Sequence, residues 1–413
     1  MKLSLLFLER RIKMLFTELK LKRKLMQGIK ETGYVNLTPI QEKAIPHIIN
    51  NKDVLACAQT GTGKTAAFAV PIIESLLNNS DNKGIKALII TPTRELAMQI
   101  RDNFRMYGKY TNLKTSVVVG GANVKSQIKV LKEGVDILVA TPGRLLDLMS
   151  QRVVKTHSIK TVVLDEADTM LDMGFINDVK KILAKIPSEH QTLLFSATMP
   201  TEIRKLGEEL LKNHVSIQID TISSPAPLID QSVYFVDKKN KFNLLLDLFK
   251  KQEIKSLLIF TRTKIGADKL ARLLNNYKIP NEVIHGGKEQ RKRTSALRRF
   301  KTGKTNILIA TDVAAHGLDI TGLSHVINYD LPSQAEVYVH RIGRTGRAGE
   351  KGIAISFCDN TQVNNLNSIE SLIKGKIRLE TNHDYHLDLT KKSKPKYKNF
   401  KNKKKPYNKK RVR

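Results

Sequence analysis

The sequence predicts an α/β protein of two tandem, doubly wound parallel-sheet domains, followed by a disordered basic tail. Short apolar runs rich in β-branched residues end abruptly in Ser, Thr or Asp, and a helical pattern follows each run. Continuous apolar runs of this kind are typical of parallel strands that helices cover on both faces. At roughly 100–200 residues per domain, the chain of 413 residues allows two or three such domains.

The predicted strands are short and occur in two blocks. They lie at residues 53–58, 87–90, 137–140, 162–164 and 193–195 in the first block, and at 257–260 and 307–310 in the second. Ligands of parallel sheets bind at the carboxyl ends of the strands. The polar residues that follow these runs are therefore candidate site residues.

The sequence divides into five segments. They are an N-terminal extension (1–15), a first domain (16–220), a turn-rich linker (221–228), a second domain (229–380) and a basic tail (381–413). The apolar stretch 3–8 is too short for a secretory signal, and Met14 offers an alternative start. Past residue 390 the composition is mainly Lys, Asn, Pro and Tyr, which bury too little apolar surface to fold.

Positive charge dominates the composition. The net charge is +32, and residues 391–413 carry 13 basic and no acidic residues, so the rest of the chain keeps +19 (32 − 13). Both parts are expected to attract polyanions, either nucleic acid or an anionic membrane face. No apolar run approaches the roughly 18–20 residues that cross a bilayer, which argues against a membrane protein. Only two cysteines occur, which excludes a disulfide framework and predicts a reduced, cytoplasmic compartment.

A glycine-rich loop follows the first predicted strand and precedes an apolar helix. It reads AQTGTGKT, a P-loop with Ala58 in place of the usual first glycine, and this context disfavours a turn without ligand. Its backbone amides and the next helix N-terminus would surround phosphates. Lys64 would reach the β- and γ-phosphates, and the Thr65 hydroxyl would bind Mg²⁺. The predicted nucleotide-binding residues are Ala58, Gln59, Thr60, Gly61, Thr62, Gly63, Lys64 and Thr65.

An acidic tetrad, Asp165-Glu166-Ala167-Asp168, follows the apolar run TVVL. Acidic residues at the end of a strand, downstream of a P-loop, resemble a Walker B motif. Asp165 would hold Mg²⁺, and Glu166 would orient and deprotonate the attacking water. Taken alone, the tetrad would suit the acidic start of a helix equally well.

The tetrad and the P-loop together resemble those of the DEAD-box ATP-dependent RNA helicases of superfamily 2. The resemblance covers residues 16 to about 380, and the motifs occur in the family's order. It implies two RecA-like domains, ATP and Mg²⁺ as cofactors, and single-stranded or short duplex RNA as a partner that is bound through its backbone. The short core and short basic tail resemble those of the RhlE-like bacterial members.

The segment GYVNLTPIQ at 33–41 resembles the family's Q motif. A glutamine carries both a donor and an acceptor, and the resemblance implies that Gln41 reads adenine, with the aromatic Phe16 upstream. Without the family, the Thr-Pro pair would indicate only a helix start. The segment SAT resembles the family's coupling motif, which implies that Ser196 and Thr198 contact Asp168 through their hydroxyls.

The segment HRIGRTGR at 340–347 combines three arginines with two glycines, an arrangement that suits phosphate. A solvated basic turn is the alternative. The resemblance implies that Arg344 and Arg347 are arginine fingers that reach the γ-phosphate held by the first domain. It places His340 and Arg341 at the contact between the domains.

The segment TDVAAHGLD at 311–319 resembles motif V. The resemblance implies that Asp319 accepts hydrogen bonds from the ribose hydroxyls and that Thr311 contacts the RNA backbone. The family usually has arginine where His316 stands, which puts the efficiency of coupling between the domains in doubt.

Two predicted strands are followed by Thr-Pro and then by an arginine. Each segment presents a helix N-terminus, a hydroxyl and a guanidinium, which suit backbone phosphates, although isolated Thr-Pro turns would be ordinary helix starts. By resemblance these are motifs Ia and Ib, with a glycine pair between them and a motif IV region that includes Gln290 and Arg293. The predicted RNA-binding residues are Thr93, Arg94, Gly120, Gly121, Thr141, Arg144, Arg262 and Thr311.

The activity that the resemblance implies is RNA-stimulated ATP hydrolysis, coupled to local unwinding of short RNA duplexes. Two alternatives stay open. One is an ATP-gated RNA clamp or assembly platform with little unwinding, and the other is a DNA-directed superfamily 2 helicase. We expect a monomer without membrane contact, with ribosomal or RNA-decay proteins as further partners.

Overall fold

The computed structural model describes residues 14–59, 61–78, 84–219, 229–251, 253–315, 320, 322–346 and 351–388. The predicted linker lies outside the described residues, as do residues 1–13 and 389–413. Three predicted site residues also lie outside them: Thr60, Asp319 and Arg347. The same holds for His316, where the sequence differs from the family's usual arginine.

The first domain begins with a short 3₁₀ helix, Phe16–Leu19. Its strands are β1 Val54–Cys57, β2 Ala87–Ile90, β3 Thr115–Val118, β4 Ile137–Ala140, β5 Thr161–Leu164, β6 Gln191–Ser196 and β7 Val215–Gln218. Its helices are α1 Arg23–Glu31, α2 Pro39–Ile49, α3 Lys64–Asn78, α4 Arg94–Tyr107, α5 Val124–Lys132, α6 Pro142–Ser150, α7 Ala167–Asp172, α8 Ile176–Leu183 and α9 Thr201–Leu210.

The second domain alternates strands and helices in the same way. Its strands are β8 Ile229–Phe235, β9 Leu257–Phe260, β10 Glu282–Ile284, β11 Ile307–Ala310, β12 His325–Asn328, β13 Gly352–Cys358 and β14 Arg378–Glu380. Its helices are α10 Lys241–Lys251, α11 Lys264–Asn276, α12 Gln290–Lys301, α13 Asp312–Ala315, α14 Ala335–Ile342 and α15 Val363–Leu372.

Each domain contains one seven-stranded sheet whose strand pairs are all parallel. The order is β3-β4-β2-β5-β6-β1-β7 in the first sheet and β10-β11-β9-β12-β13-β8-β14 in the second. The two orders are equivalent, because β8 of the second sheet occupies the position of β1 in the first, β9 that of β2, and so on to β14 and β7. The predicted fold class is therefore confirmed, and the two domains share one topology.

Helices cover both faces of each sheet because the strands are apolar on both faces. Val54 and Ala56 of β1 pack among helices α1–α4, while Leu55 between them packs with helices α6–α9. The second sheet divides in the same way between clusters on opposite faces, with Ile259 on one and Leu258 on the other. The apolar runs expected at 87–90, 137–140, 257–260 and 307–310 coincide with β2, β4, β9 and β11.

The chain beyond Glu380 differs from the expected start of the tail. Residues 381–388 still contact the second domain: the Leu387 amide donates to the Phe235 carbonyl at 2.9 Å, and Tyr385 packs against the core. The rings of His383 and Tyr234 lie 5.3 Å apart. The composition of this stretch suggested a tail, but its aromatic residues cover the end of β8.

A search of the described residues finds no helix long and apolar enough to span a membrane.

Candidate functional site

The P-loop joins β1 to α3 at the carboxyl edge of the first sheet. Gly61 and Gly63 have φ values of +84° and +95°, in the region that only glycine adopts easily. A Cβ on Gly63 would lie 2.4 Å from Nε2 of Gln41, so this glycine also allows a close contact. The Ala58 amide donates to the Ser196 carbonyl at 3.0 Å, and the Thr62 hydroxyl donates to the Gln59 carbonyl at 2.7 Å.

Lys64 is the first residue of α3, with Thr65 next to it. Its side chain is buried, and its Nζ has no hydrogen-bond partner among the residues that the structure describes. A buried ammonium without a partner is costly, so its retention indicates that a ligand completes the site. The arrangement fits the phosphates of a nucleotide, as the P-loop predicts.

Asp165 and Glu166 follow β5 and face the same space as Lys64. Burial raises the pKa of Asp165 to about 7, and the charge of Glu166 contributes, whereas Lys64 opposes the shift. Burial also raises the pKa of Glu166, against the charges of Lys64 and Arg344. Oε2 of Glu166 is buried and accepts no hydrogen bond from the described residues. A divalent cation and a water would satisfy these oxygens, so Thr65 and Asp165 are suited to hold Mg²⁺.

Glu166 has a left-handed backbone conformation, with φ +53° and ψ +53°. This conformation is uncommon outside glycine and strains a residue with a long side chain. It redirects the chain between the end of β5 and the start of α7. The carboxylate is thereby held at the edge of the sheet beside Lys64.

Asp168 is clamped by the end of β6. Its Oδ2 accepts hydrogen bonds from the Thr198 amide at 2.8 Å, the Thr198 hydroxyl at 2.9 Å and the Ala197 amide at 3.1 Å. The Asp168 amide donates to the Ser196 hydroxyl at 3.3 Å. Burial would raise the pKa of Asp168, but Lys64, His340 and the bonds from Thr198 outweigh it and lower the pKa. The residues predicted to couple the two motifs therefore lie in contact.

The Q segment packs against the P-loop. The side chain of Gln41 accepts a hydrogen bond from the Thr38 amide at 2.9 Å and donates to the Gly63 carbonyl at 3.2 Å. Phe16 is only 2% exposed and stacks on Tyr34 with 5.8 Å between ring centroids. Gln41 thus connects the Q segment to the P-loop, and Phe16 anchors that segment in the core. The contacts of both residues with adenine stay predictions.

The second domain contributes charge to the same space. Arg344 is buried and close enough to Glu166 to affect its pKa, and His340 acts likewise on Asp168. The structure therefore brings these two predicted residues to the acidic tetrad of the first domain. A guanidinium beside Glu166 is suited to contact a terminal phosphate bound by Lys64.

The hydrogen bonds that Arg341 makes to described residues all lie within the second domain, so its predicted place at the contact between the domains stays a prediction. The side chain is 2% exposed and forms a bidentate pair with Asp312, at 2.5 and 2.7 Å. It also donates to Oδ1 of Asn328 at 2.9 Å and to the Asp330 carbonyl at 2.7 Å. All of these partners belong to the second domain. Sequence spacing placed Arg341 beside the functional residues, but the helix turns it toward its own sheet.

The predicted RNA-binding loops of the first domain lie side by side. The hydroxyl of Thr93 caps α4 by accepting from the Leu96 amide, and the Thr141 hydroxyl accepts from the Gly120 amide at 3.4 Å. Arg144 donates to the Ala122 carbonyl at 3.2 Å. A Cβ on Gly121 would lie 2.2 Å from Nη1 of Arg94, so the glycine pair lets this arginine cross the loop. The strands β2, β4 and β3 are neighbours in the sheet, which brings the three loops together.

The two domains are joined beside these loops by a buried ion pair. Glu95 and Arg293 lie 2.6 Å apart, with side chains 6% and 7% exposed. Gln290 donates to Glu95 at 2.9 Å and accepts from Nη1 of Arg94 at 3.4 Å. Burial lowers the pKa of Arg293 while Glu95 opposes the shift. The Glu95 carboxylate thus links motif Ia to the second domain.

An open groove of about 800 Å³ runs between the domains next to this ion pair. It is lined by Gly121, Ala122, Asn123, Glu289, Gln290, Arg291, Thr294, Ser295 and Arg298. Arg262 is exposed at the carboxyl end of β9, and Thr311 follows β11. Glycine backbone on one side and arginines on the other suit a nucleic-acid backbone.

Three residues that support the site were not singled out from the sequence. Glu95 forms the ion pair with Arg293. Gln127 accepts from the Val119 amide at 2.9 Å and donates to its carbonyl at 3.2 Å, which holds the chain just before the glycine pair. Lys241 is buried among acceptors in the second domain. The sequence signal for these residues was a polar side chain within an amphipathic helix. The spacing of residues along the sequence does not reveal which partner such a side chain contacts.

Two family models match the chain. The DEAD/DEAH box helicase model covers residues 38–206, and the helicase conserved C-terminal domain model covers residues 240–349. The chain is 45% identical over 364 residues to the DEAD-box ATP-dependent RNA helicase RhpA of Helicobacter pylori. The match covers 88% of this chain and 73% of that protein.

Two solved structures are similar over most of the chain. S. cerevisiae Dbp5 bound to RNA and ADP BeF3 has a TM-score of 0.79 and 33% identity, and the match covers 88% of this chain and 94% of that chain. A DEAD box protein from the hyperthermophile Methanococcus jannaschii has a TM-score of 0.51 and 42% identity, with coverage of 89% and 99%. Together with the P-loop, the acidic tetrad and its clamp, these matches show that the chain belongs to the DEAD-box ATP-dependent RNA helicase family.

Proposed function

We propose that the chain hydrolyses ATP in response to RNA and uses the cycle to open short RNA duplexes locally. The observation that carries this is a pair of buried atoms, Nζ of Lys64 and Oε2 of Glu166, that have no hydrogen-bond partner among the described residues, with Arg344 of the other domain beside them. A triphosphate and its attacking water would satisfy both atoms. Because one anion would contact both domains, its state would control how the domains dock.

The roles follow from position. Lys64 binds the β- and γ-phosphates, and Glu166 orients and deprotonates water, for which its raised pKa suits a general base. Thr65 and Asp165 would hold Mg²⁺, which neutralises charge on the phosphates. Arg344, with Arg347, stabilises negative charge as the γ-phosphate leaves. Gln41 and Phe16 recognise adenine, and Asp319 the ribose.

RNA occupies the groove between the glycine pair of the first domain and α12 of the second. Its backbone contacts Thr93, Arg94, Thr141 and Arg144, while Arg262 and Thr311 complete the grip. The TM-score of 0.79 with Dbp5 bound to RNA and ADP BeF3 supports a docked arrangement. The lower score with the more similar Methanococcus jannaschii chain is what a different placement of two similar domains would produce.

The cycle is a gated clamp. ATP gives Arg344 a phosphate partner in the first domain in addition to Glu166, docking aligns the two RNA-binding faces, and bending of one strand excludes its complement. Loss of the γ-phosphate removes that partner and the clamp reopens. This is a population shift produced by a ligand that contacts one state more than the other.

Charge reversal at the proposed arginine fingers tests whether both domains bind the same triphosphate. Arg344→Glu combined with Arg347→Glu should reduce RNA-stimulated turnover by at least about 100-fold, the lower range for arginine fingers and transition-state donors. The control is Arg272→Glu, which reverses an exposed charge elsewhere on the second domain. RNA-dependent turnover that survives the double reversal would mean that the bipartite site does not exist.

Two other activities use the same motifs. A clamp or assembly platform would bind RNA in an ATP-dependent way but displace few strands, and a duplex-displacement assay with ATP separates it from a helicase. A DNA-directed enzyme is separated by comparing ATPase stimulation by RNA and by DNA. The family assignment and the RNA-bound neighbour favour RNA.

The basic tail adds an RNA tether in this proposal. Residues 391–413 combine 13 basic residues with Tyr397, Phe400 and Tyr407, which suits electrostatic attraction and base stacking. Truncation after Thr390 should raise the RNA concentration that half-stimulates the ATPase and reduce its dependence on salt. RNA affinity that is unchanged at low salt would leave the tail without this role.

The finer placement of the chain is also proposed rather than observed. Its short core and tail favour the RhlE-like bacterial subgroup, acting in the cytoplasm as a monomer. Ribosomal or RNA-decay proteins are the expected partners. Isolation of crosslinked RNA from cells identifies the substrate, and sedimentation identifies the oligomeric state.

A further inference from the structure

A buried lysine of the second domain contacts the segment that follows β12. Lys241 is the first residue of α10 and is 1% exposed. Its Nζ lies 3.0 Å from the Tyr329 carbonyl, 3.1 Å from Oδ1 of Asp330, 2.8 Å from Oε1 of Gln362 and 3.1 Å from Oδ2 of Asp359. An ammonium has three N–H donors, so these acceptors use its full capacity.

Two paths lead from this lysine to Arg262. In the first, Asp330 contacts Lys241 through Oδ1 and accepts the Arg262 amide through Oδ2 at 3.1 Å. In the second, Gln362 contacts Lys241 through Oε1 and donates from Nε2 to the Leu331 carbonyl at 3.4 Å. The same carbonyl accepts from Nη2 of Arg262, also at 3.4 Å. Both the backbone and the guanidinium of Arg262 therefore depend on groups that Lys241 holds.

The same segment supports the helix that leads into the arginine-rich segment at 340–347. The Asp330 carbonyl accepts from Nη1 of Arg341 at 2.7 Å, and Arg341 pairs with Asp312 at the start of α13. Arg341 lies on α14, the helix that precedes Arg344. Residues 329–331 thus connect the end of β9 to the helix that precedes Arg344. Lys241 contacts two of these residues, Tyr329 and Asp330.

We propose that Lys241 is a positioning residue for RNA binding, which holds residues 329–331 so that Arg262 stays at the carboxyl edge of the second sheet. This inference rests on the proposed contact between Arg262 and the RNA backbone. Removal of the buried cation would leave Asp330 and Asp359 without their shared partner, and the segment would move to solvate them. Arg262 would lose its fixed position even though its own side chain is intact.

The first test compares Lys241→Met with Lys239→Met in the full chain. Lys239 is an exposed lysine in the same loop, so its replacement removes the same charge without touching the network. Lys241→Met should raise the RNA concentration for half-maximal ATPase stimulation about tenfold, the effect of losing one charge-assisted hydrogen bond, while Lys239→Met should change it little. Equal effects of the two variants would mean that Lys241 contributes only its positive charge, which would overturn the proposal.

The second test separates positioning from general support of the fold. If Lys241 acts through Arg262, then Arg262→Ala should add little to the RNA defect of Lys241→Met, because the arginine has already lost its place. Independent effects would instead multiply. Multiplication in the double variant, with both single variants folded by circular dichroism, contradicts the positioning role.

A milder variant covers the case in which Lys241→Met fails to fold. Gln362→Leu removes only the path through the Leu331 carbonyl and leaves the ion pairs of Lys241 in place. It should raise the half-stimulating RNA concentration by about threefold, less than Lys241→Met, since a neutral hydrogen bond contributes less than a charged one. No change in this variant overturns the proposal. If Arg262→Ala itself has no effect on RNA stimulation, the proposed RNA contact of Arg262 fails, and the role of Lys241 in positioning it is overturned with it.

Discussion

The two domains share a strand order, yet they treat the buried lysine after their first strand in opposite ways. Lys64 opens α3 after β1, and Lys241 opens α10 after β8, the equivalent strand. Nζ of Lys64 has no partner among the described residues, whereas Lys241 contacts four acceptors of its own domain. The same fold position is therefore available for the proposed ligand in one domain and is filled by internal contacts in the other.

The loops before the two lysines explain the difference. Gly61 and Gly63 have positive φ values, which allow the tight turn of a phosphate-binding loop. The corresponding loop, residues 236–240, reads VDKKN and contains no glycine. Its turn is closed by the Asn240 amide, which donates to the Asp237 carbonyl at 2.8 Å. Without a phosphate cradle, the second domain neutralises its lysine with Asp330 and Asp359.

The largest effect that this comparison predicts concerns the carboxylate of Glu166, whose Oε2 has no hydrogen-bond partner among the described residues. Glu166→Gln should still bind ATP but reduce RNA-stimulated turnover by about 100-fold or more, because a general base contributes roughly that factor. Steady-state ATPase rates and nucleotide titration measure the two properties. The matched control is Glu189→Gln, an exposed residue before β6 at the opposite edge of the same sheet. Near-normal turnover in Glu166→Gln would mean that another group activates the water.

A second variant tests whether the domains work as one clamp. Glu95→Ala leaves Arg293 buried opposite Arg94 without its carboxylate, so docking should weaken. The RNA concentration for half-maximal stimulation should rise about tenfold, since breaking a buried ion pair costs several kcal/mol, part of which relaxation recovers. Fluorescence transfer between labels on the two domains should show fewer docked molecules. A docked population that matches the parent chain would remove the ion pair from the clamp.

The smallest effects concern stability and have opposite signs in the two domains. Asp165 has a pKa raised to about 7, so folding favours its protonated form and this contribution to stability is lost as pH rises from about 4 through 7. Asp165→Asn removes the buried charge, and its unfolding temperature without nucleotide should exceed that of the parent chain at pH 8. The gain should shrink at pH 6, where the parent carboxyl is protonated. An equal or lower unfolding temperature at pH 8 would contradict this.

Asp359 provides the opposite case. Burial would raise its pKa, but Thr361 and Lys241 outweigh burial and lower it, so its charged form stabilises the fold at all pH values above its normal range. Asp359→Asn should therefore lower the free energy of unfolding by about 3 kcal/mol through loss of a buried ion pair. The loss should be the same at pH 6 and pH 8. Chemical denaturation at both values tests it, and a deficit that disappears at pH 6 would contradict the assignment.

Local pattern was sufficient for most of the strands that precede the predicted site residues and for the chemistry of the first domain. The runs before Thr91, Thr141, Thr261 and Thr311 coincide with strands because continuous apolar residues must be covered on both faces. The P-loop and the tetrad were readable because their function needs particular residues at adjacent positions. Strands such as β3 and β10 were missed, since β3 is polar in part and β10 has only three residues.

Distant partners could not be read in this way. Arg341 stands in the middle of a functional motif, but its partners Asp312 and Asn328 come from other elements of its own domain. Glu95 and Arg293 are 198 positions apart in the chain. Their pairing depends on how two complete domains dock.

The sequence by itself determined the two α/β domains, the phosphate loop and the acidic tetrad, because each depends on residues that are neighbours in the chain. Only the tertiary structure decided that one of two equivalent lysines has no hydrogen-bond partner in the part of the chain that the structure describes, while the other is neutralised. The physical reason is that burial and pairing are properties of the space around a side chain. That space is built by strands and helices from distant parts of the sequence.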